Sequence, residues 1–409
     1  MSAPERPFSW RTVGLAAFLP TLLFSIGEGA ILPLIPVLAD DLGATLAVAG
    51  LVAAMVAVGE LLGDIPAGIV VARVGERRSM IGAGAVAIGG LLLSFAAPNP
   101  AALGVGIFLV GLATAVFALA RHAFLTSFVP IAYRARALST LGGTFRLGVF
   151  IGPFLSAAVI ELTGSVAPAL WIFVVGCLGA IVTLLLLPDP DTVFRKRAAA
   201  TEGELFVAAE AEGLGATLRR HRGVLVRLGA GSAVVAALRS ARAVVLPLWA
   251  VSIGLGETQT AIIIGIAGAV DFALFYTGGH IMDRYGRLWT AVPSLLGLGL
   301  GHLVLSFTHD VTANVGWFIA VAMFLSLANG IGAGILMTLG ADLAPQASPA
   351  QFLGAWRFTN DAGGAAAPLL VAAVTALVSL PFAVGLLGVL GFVGAGMLLR
   401  YVPRYSPHV

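Results

Sequence analysis

Long apolar runs separated by short polar clusters are the dominant pattern of this chain. A helix that crosses a bilayer needs roughly 20 apolar residues. Twelve runs suit that length, with approximate limits 12–38, 46–72, 80–97, 101–128, 136–162, 166–187, 224–252, 259–282, 290–308, 314–342, 350–379 and 381–401. The breaks carry turn chemistry: Pro98-Asn99-Pro100, Pro188-Asp189-Pro190, Pro345 with Pro349, and Leu380-Pro381. The ten-residue alternation of a barrel strand is missing from these runs. The pattern therefore predicts an all-α polytopic membrane protein of twelve spans. The first run is too long for the core of a secretory signal, and no small-residue cleavage site follows a short core, so it is expected to stay as span 1.

Composition agrees and removes other classes. Of 409 residues, 59% are hydrophobic and 11% charged, and the mean hydropathy is +1.01. An ordinary soluble domain carries about 25% charged residues, so neither a soluble globule nor a disordered chain fits. The 52 glycines, many inside spans, suit helices whose backbones approach closely in lipid. The single cysteine, Cys177, excludes a disulfide framework within the chain and a cysteine metal site. The six histidines lack ligand spacing, and no metal or cofactor is expected.

Charge changes the picture more. The net charge is +3, from 22 arginines and one lysine, Lys196, against 20 acids. The cations concentrate in alternate loops: Arg73, Arg77 and Arg78, then Arg134 and Arg136, the stretch from Arg195 to Arg227, then Arg284 and Arg287, with Arg6, Arg11, Arg400 and Arg404 in the terminal regions. The opposite loops, around Asp40-Asp41, Asn99, Gly164, Glu257, Asp310 and Leu380, hold none. Cytoplasmic loops retain positive charge, which predicts both termini inside. This distribution accounts for the basic balance without a nucleic-acid partner. The expected partners are the bilayer, protons and a small amphipathic substrate, with the chain acting as a monomer in the inner or plasma membrane. Abundant Gly, Ala and Arg with one Lys point to a GC-rich bacterial source.

The chain also repeats itself. An offset of 211 carries Ile35-Pro36-Val37 onto Leu246-Pro247-Leu248, Glu60 onto Asp271, and Gly68, Arg73 and Gly75 onto Gly279, Arg284 and Gly286. An offset of 215 carries Pro130, Gly148 and Pro153 onto Pro345, Gly363 and Pro368. Two six-helix halves are expected, residues 1–187 and 223–409, joined by a polar cytoplasmic linker at 188–222. Such repeats place a transporter's substrate site near the midplane, between the halves.

The loop after span 2 reads Gly68-Ile69-Val70-Val71-Ala72-Arg73-Val74-Gly75-Glu76-Arg77-Arg78, and the loop after span 8 reads Gly279-His280-Ile281-Met282-Asp283-Arg284-Tyr285-Gly286-Arg287. Both resemble the G-x-x-x-D-R-x-G-R-R loop signature of the major facilitator superfamily, with Ala72 in place of the acid in the first copy. Physically, Gly68 and Gly279 are expected to allow close helix contact, and Gly75 and Gly286 a tight turn. The resemblance implies that these loops gate the transporter. In span 5, Gly148-Val149-Phe150-Ile151-Gly152-Pro153-Phe154-Leu155-Ser156-Ala157 is similar to the family's antiporter signature, with Ser156 and Ala157 replacing its last two glycines. Gly148, Gly152 and Pro153 are expected to kink the span and tighten its packing. This resemblance implies the twelve-span drug/proton antiporter branch. The family's span-4 arginine motif is not kept; Phe108 stands at its place.

Ionisable residues at mid-span are costly, and each is a functional candidate. They are Glu28, Glu60, Asp64, Arg121, Arg146, Arg239, Arg242, Asp271, Asp342, Arg357 and Asp361. Glu60 and Asp64 share a helix face, as do Arg239 and Arg242, and Arg357 can pair with Asp361. Glu28 and Asp361 are the first choices for proton or substrate-cation binding, with Gly27 and Gly29 expected to open room beside Glu28. Arg146 and Arg121 are expected as charged partners, and Glu60 with Asp271 as gate residues. Phe24, Phe145, Trp249, Phe272 and Trp356 are candidate cavity aromatics, with Phe275, Tyr276 and Phe358 near them; His122 and His302 are expected to be packing groups. The resulting expectation is a proton-coupled exporter of small amphipathic or drug-like compounds working by alternating access. The alternative is an importer, uniporter or exporter of a specific metabolite or lipid. An enzyme would need a metal cluster, a G-x-S-x-G turn or a phosphate loop, and none is in the sequence.

Overall fold

The structure, a computed structural model, describes residues 14–129, 131–186, 219–344 and 349–405. Arg6, Arg11, the repeat prolines Pro130 and Pro345, and most of the 188–222 linker lie outside the described residues, as do the side chains of Ala72, Arg134, Arg136 and Tyr276. Among the described residues, twelve helices are long and apolar enough to cross a membrane: α1 (Gly14–Asp41), α2 (Leu46–Val74), α3 (Glu76–Phe95), α4 (Pro100–Phe128), α5 (Ile131–Thr163), α6 (Leu170–Leu186), α7 (Arg222–Ser252), α8 (Glu257–Tyr285), α9 (Leu288–Ser306), α10 (Asn314–Leu343), α11 (Pro349–Leu377) and α12 (Leu380–Tyr405). Only helices satisfy every backbone group within one apolar segment, which is why these runs fold as they do.

Local chemistry fixes the ends. Thr45 caps α2, its Oγ1 accepting from the Val48 N–H at 3.4 Å, and Asn99 caps α4, its Oδ1 accepting from the Ala102 N–H at 2.9 Å. Pro100 then opens α4, where its missing N–H costs nothing. Gly75 and Gly286 turn the chain between paired spans at φ +89° and +97°, the left-handed region that favours glycine. Two spans are interrupted in ways the sequence reading did not anticipate. A 3-10 turn, Leu32–Leu34, divides α1 at Pro33. In α10 the helix stops at Ile331 and resumes at Ile335, with Gly334 at φ +84°.

Helices α1 to α6 pack chiefly on one another: α2 on α4, α3 on α4 and α6, α1 on α5 and α6. Helices α7 to α12 do likewise, α7 on α11 and α12, α9 on α10 and α12, α8 on α10. Between the two sets, α2 meets α11 and α5 meets α8. Small residues set the closest approaches. Added Cβ atoms at Gly148 and Gly152 of α5 would strike the α1 backbone near Ile26 and Ala30, and the Ser156 hydroxyl donates to the Ala30 carbonyl at 2.7 Å. Gly363 of α11 stands in the same way against Ala233 of α7. Thus the packing expected of the span-5 glycines is present, while α5 continues unbroken through Pro153.

Other glycine expectations need correction. Gly68 and Gly279 have open space where a Cβ would stand, so neither makes a close helix contact. Gly27 does not open room beside Glu28; Phe173 of α6 fills that space, and Gly29 is pressed against the backbone of Val149.

Candidate functional site

Two cavities lie between the two sets of helices. They share Leu32 of α1 and Ala243 of α7, so the α1–α7 contact divides them. One, of about 380 Å³, is walled by α1, α2, α7, α10 and α11. The other, of about 290 Å³, is walled by α1, α5, α7 and α8. Both volumes are near the lower end of the ~300–1,000 Å³ usual for small-molecule sites. The end towards the α1–α2 turn is closed. There Gly50 of α2 meets Leu248 of α7 and Ala372 of α11, while Leu34, Ile35 and Trp249 are buried.

Acids line the larger cavity. Glu28, Glu60 and Asp361 reach it from α1, α2 and α11, with Asn360, Ser240 and Arg239 completing its polar lining. Glu28 is 4% exposed, and its Oε2 has no hydrogen-bond partner among the described residues. It lies within electrostatic reach of Arg121, and Glu60 within reach of Glu28, Asp64 and Asp361. Arg357 holds two carboxylates together, donating from Nε to Asp361 at 3.3 Å and from Nη2 to Asp64 at 3.1 Å. The first contact is the within-helix pair expected from spacing. The second joins α11 to α2 across the two sets, and spacing along one helix gave no sign of it.

Arginines dominate beside the smaller cavity. Arg242 donates from Nη2 to Asp271 at 3.0 Å and from Nη1 to Ser326 at 2.6 Å. Asn329 donates to the same Asp271 oxygen at 2.7 Å, and Arg146 approaches its other oxygen at 3.7 Å. Arg239 donates to the Gly332 carbonyl and, at 3.5 Å, to the Asn329 carbonyl, so it caps the open end of the α10 helix at its break. These are orphan carbonyls that a helix end must satisfy from outside. Ser326, Asn329 and Asn360 were missed by sequence reading, because an uncharged polar residue inside a span carries no cost signal comparable to a charge.

The aromatic candidates divide. Phe145 and Phe272 line the smaller cavity with Phe150, whose ring is stacked with Phe272 at 6.2 Å, and Arg121 lies 4.9 Å over the Phe145 ring. Phe24, Trp249 and Trp356 line neither cavity. Phe24 is packed between Phe117 and Phe173 at 4.3 and 4.9 Å. Trp249 is buried at the closed end, and Trp356 donates its indole N–H to the Leu336 carbonyl at 2.8 Å. A helix has more than one face, and residue type alone did not tell which face each ring takes. His122 and His302 bond the Ala118 and Leu298 carbonyls one turn earlier, as packing groups do.

The two motif loops bind different partners. Arg77 donates to the Leu184 and Leu185 carbonyls at 2.7 and 3.1 Å, closing the end of α6. Arg287 pairs with Asp342 at 2.9 Å and with Asp283 at 3.6 Å, tying α8 and the α8–α9 loop to α10. Arg73 is exposed, and Arg284 lies over the Tyr285 ring. Among the described residues, no group of three or more His, Cys, Asp or Glu is arranged to hold a metal.

The sequence profile described as Major Facilitator Superfamily matches residues 17–368, and again 228–409. The chain belongs to the Major Facilitator Superfamily. The family is one of secondary membrane transporters. Its fold is close to that of a POT family transporter in complex with a thioalcohol-conjugated peptide (TM-score 0.75, 13% identity, 97% of each chain). It is also close to a D-xylose-proton symporter (TM-score 0.73, 15% identity, 97% of this chain and 98% of that one). Among curated proteins, the galactose-proton symporter of Escherichia coli is 25% identical over 178 residues, or 44% of this chain. The chain matches only 38% of that relative's length.

Proposed function

We propose that this facilitator moves a small solute by alternating access between two six-helix halves, in symport with protons. The observation that carries the reading is the acid-lined wall of the larger cavity. Among the described residues, Glu28, Glu60 and Asp361 on this wall, with Asp64 beside them, are set against three arginines, Arg121, Arg239 and Arg357, so one negative charge is left in excess inside the membrane. Bare charge there is expensive, and a proton is the smallest ion that relieves it. The carboxylates also sit on helices of both sets, where a change of protonation bears on how the sets meet. Symport is favoured over export by the curated relative and by one of the structural neighbours, which are themselves proton symporters. The positive-inside pattern supports termini in the cytoplasm, and the closed end is then the external one.

Export of drug-like compounds is the second reading. The span-5 glycines packed on α1 and the ring wall of Phe145, Phe150 and Phe272 favour it. One measurement separates the two. Proteoliposomes enclosing a pH dye receive galactose, benzenesulfonate or ethidium from outside, in turn. Acidification of the lumen on addition of a solute marks symport. Alkalinisation marks antiport and overturns the symport reading. Movement of a labelled solute with no pH change leaves a uniporter and removes protons from the mechanism.

A further inference from the structure

Charge in the two cavities is sorted, and the repeat shows how. The offset of 211 that carries Glu60 onto Asp271 also carries Glu28 onto Arg239. The offset of 215 that carries Pro153 onto Pro368 carries Arg146 onto Asp361. At two of these three equivalent positions, Glu28 with Arg239 and Arg146 with Asp361, the repeats carry opposite charges. Folding collects Glu28, Glu60 and Asp361 at the larger cavity, with Arg239 among them, and leaves Arg146 and Arg242 at the smaller one, where among the described lining residues the one carboxylate is Asp271.

The two poles differ in how their excess charge is relieved. A carboxylate can take a proton. A guanidinium stays charged in a protein, so the arginine pole needs an anion. Asp271 supplies one charge for two, and its approach to Arg146 is loose at 3.7 Å. Arg146 and Arg242 both line the smaller cavity, and apart from Asp271 the rest of its described lining is apolar and includes the stacked rings of Phe150 and Phe272.

We propose that the transported solute is an amphipathic organic anion: a carboxylate or sulfonate head on an aromatic or branched apolar body. The head lies between Arg146 and Arg242, and the body lies against Phe150 and Phe272. This rests on the transport reading and narrows its substrate class. Guanidinium pairs with such heads bidentately, which gives orientation as well as charge.

Thermal melting of the purified protein in detergent, at fixed ionic strength, tests it with benzoate against its neutral isostere benzamide. Saturating benzoate is expected to raise the melting temperature by about 2–4 °C, and benzamide to leave it unchanged. The Arg242→Gln variant should lose the response. Arg242 also ties Asp271 to Ser326, so its loss can impair folding; Arg146→Gln is the second variant, with a response at least tenfold weaker in concentration. Equal stabilisation by benzamide, or an undiminished benzoate response in Arg146→Gln, overturns the proposal. If benzoate has no effect on wild type while galactose acidifies the vesicles, the anion proposal falls and symport stands. If benzoate binds as expected and no solute changes the luminal pH, the proton reading falls and the anion site stands.

Discussion

Glu60 and Asp361 reach the same cavity from different helices, α2 and α11, within electrostatic reach of one another. Their shared role is testable one atom at a time. Glu60→Gln and Asp361→Asn keep shape and remove the titrating oxygen. In proteoliposomes each is expected to lower gradient-driven accumulation of solute at least tenfold while leaving solute exchange at zero gradient nearly intact. Equal loss of both activities would mean that the carboxylate binds solute and carries no proton. The charged members of this site were legible, because a mid-span charge in so apolar a chain can hardly be overlooked. Their partners were not. The contact of Arg357 with Asp64 spans 293 positions, and Asn329 and Ser326 resemble any other polar residue in a span. Phe24 and Trp249 erred in the opposite sense, since an aromatic ring packs a core as readily as it walls a cavity.

At the level of helices, hydropathy located all twelve spans, with ends shifted by a few residues. It gave no warning of the breaks in α1 and α10. Pro33 is one of several prolines within helices that otherwise continue, among them Pro66, Pro153 and Pro293, so its type alone did not mark a turn. The Gly332-Ala333-Gly334 break is hidden in a chain with 52 glycines. What glycine does depends on its neighbour. Gly152→Ala would press a methyl onto the α1 backbone, and overpacking of this sort costs about 1–3 kcal/mol. Gly82 in α3 has nothing within 4 Å of an added Cβ. Gly82→Ala should be neutral or stabilising by up to about 1 kcal/mol, the usual gain of Ala over Gly inside a helix. Melting temperatures of the two variants check this: a fall for Gly152→Ala and no fall for Gly82→Ala. Equal behaviour would show that the α1–α5 contact is slack.

For the whole molecule, alternating access requires the closed end to part. An added Cβ at Gly50 lies 3.7 Å from the Cβ of Ala372, within the range of about 3.5–4.5 Å that a disulfide spans. With Cys177 replaced by alanine, Gly50→Cys and Ala372→Cys should cross-link on oxidation, arrest transport, and release it on reduction. Continued transport through the cross-linked protein would refute the closed end as a gate. The break in α10 has a mechanical consequence of its own. Its second segment, Ile335–Leu343, has nine residues and makes a lever about 13 Å long. A swing of roughly 20°, the size of an ordinary helix kink, moves the far end by about 4–5 Å. Asp342 rides near that end, 2.9 Å from Arg287, while Arg239 holds the pivot at Gly332. Any swing of that lever would either part Asp342 from its arginine or drag the α8–α9 loop along with it, so the ion pair couples the cavity wall to that loop.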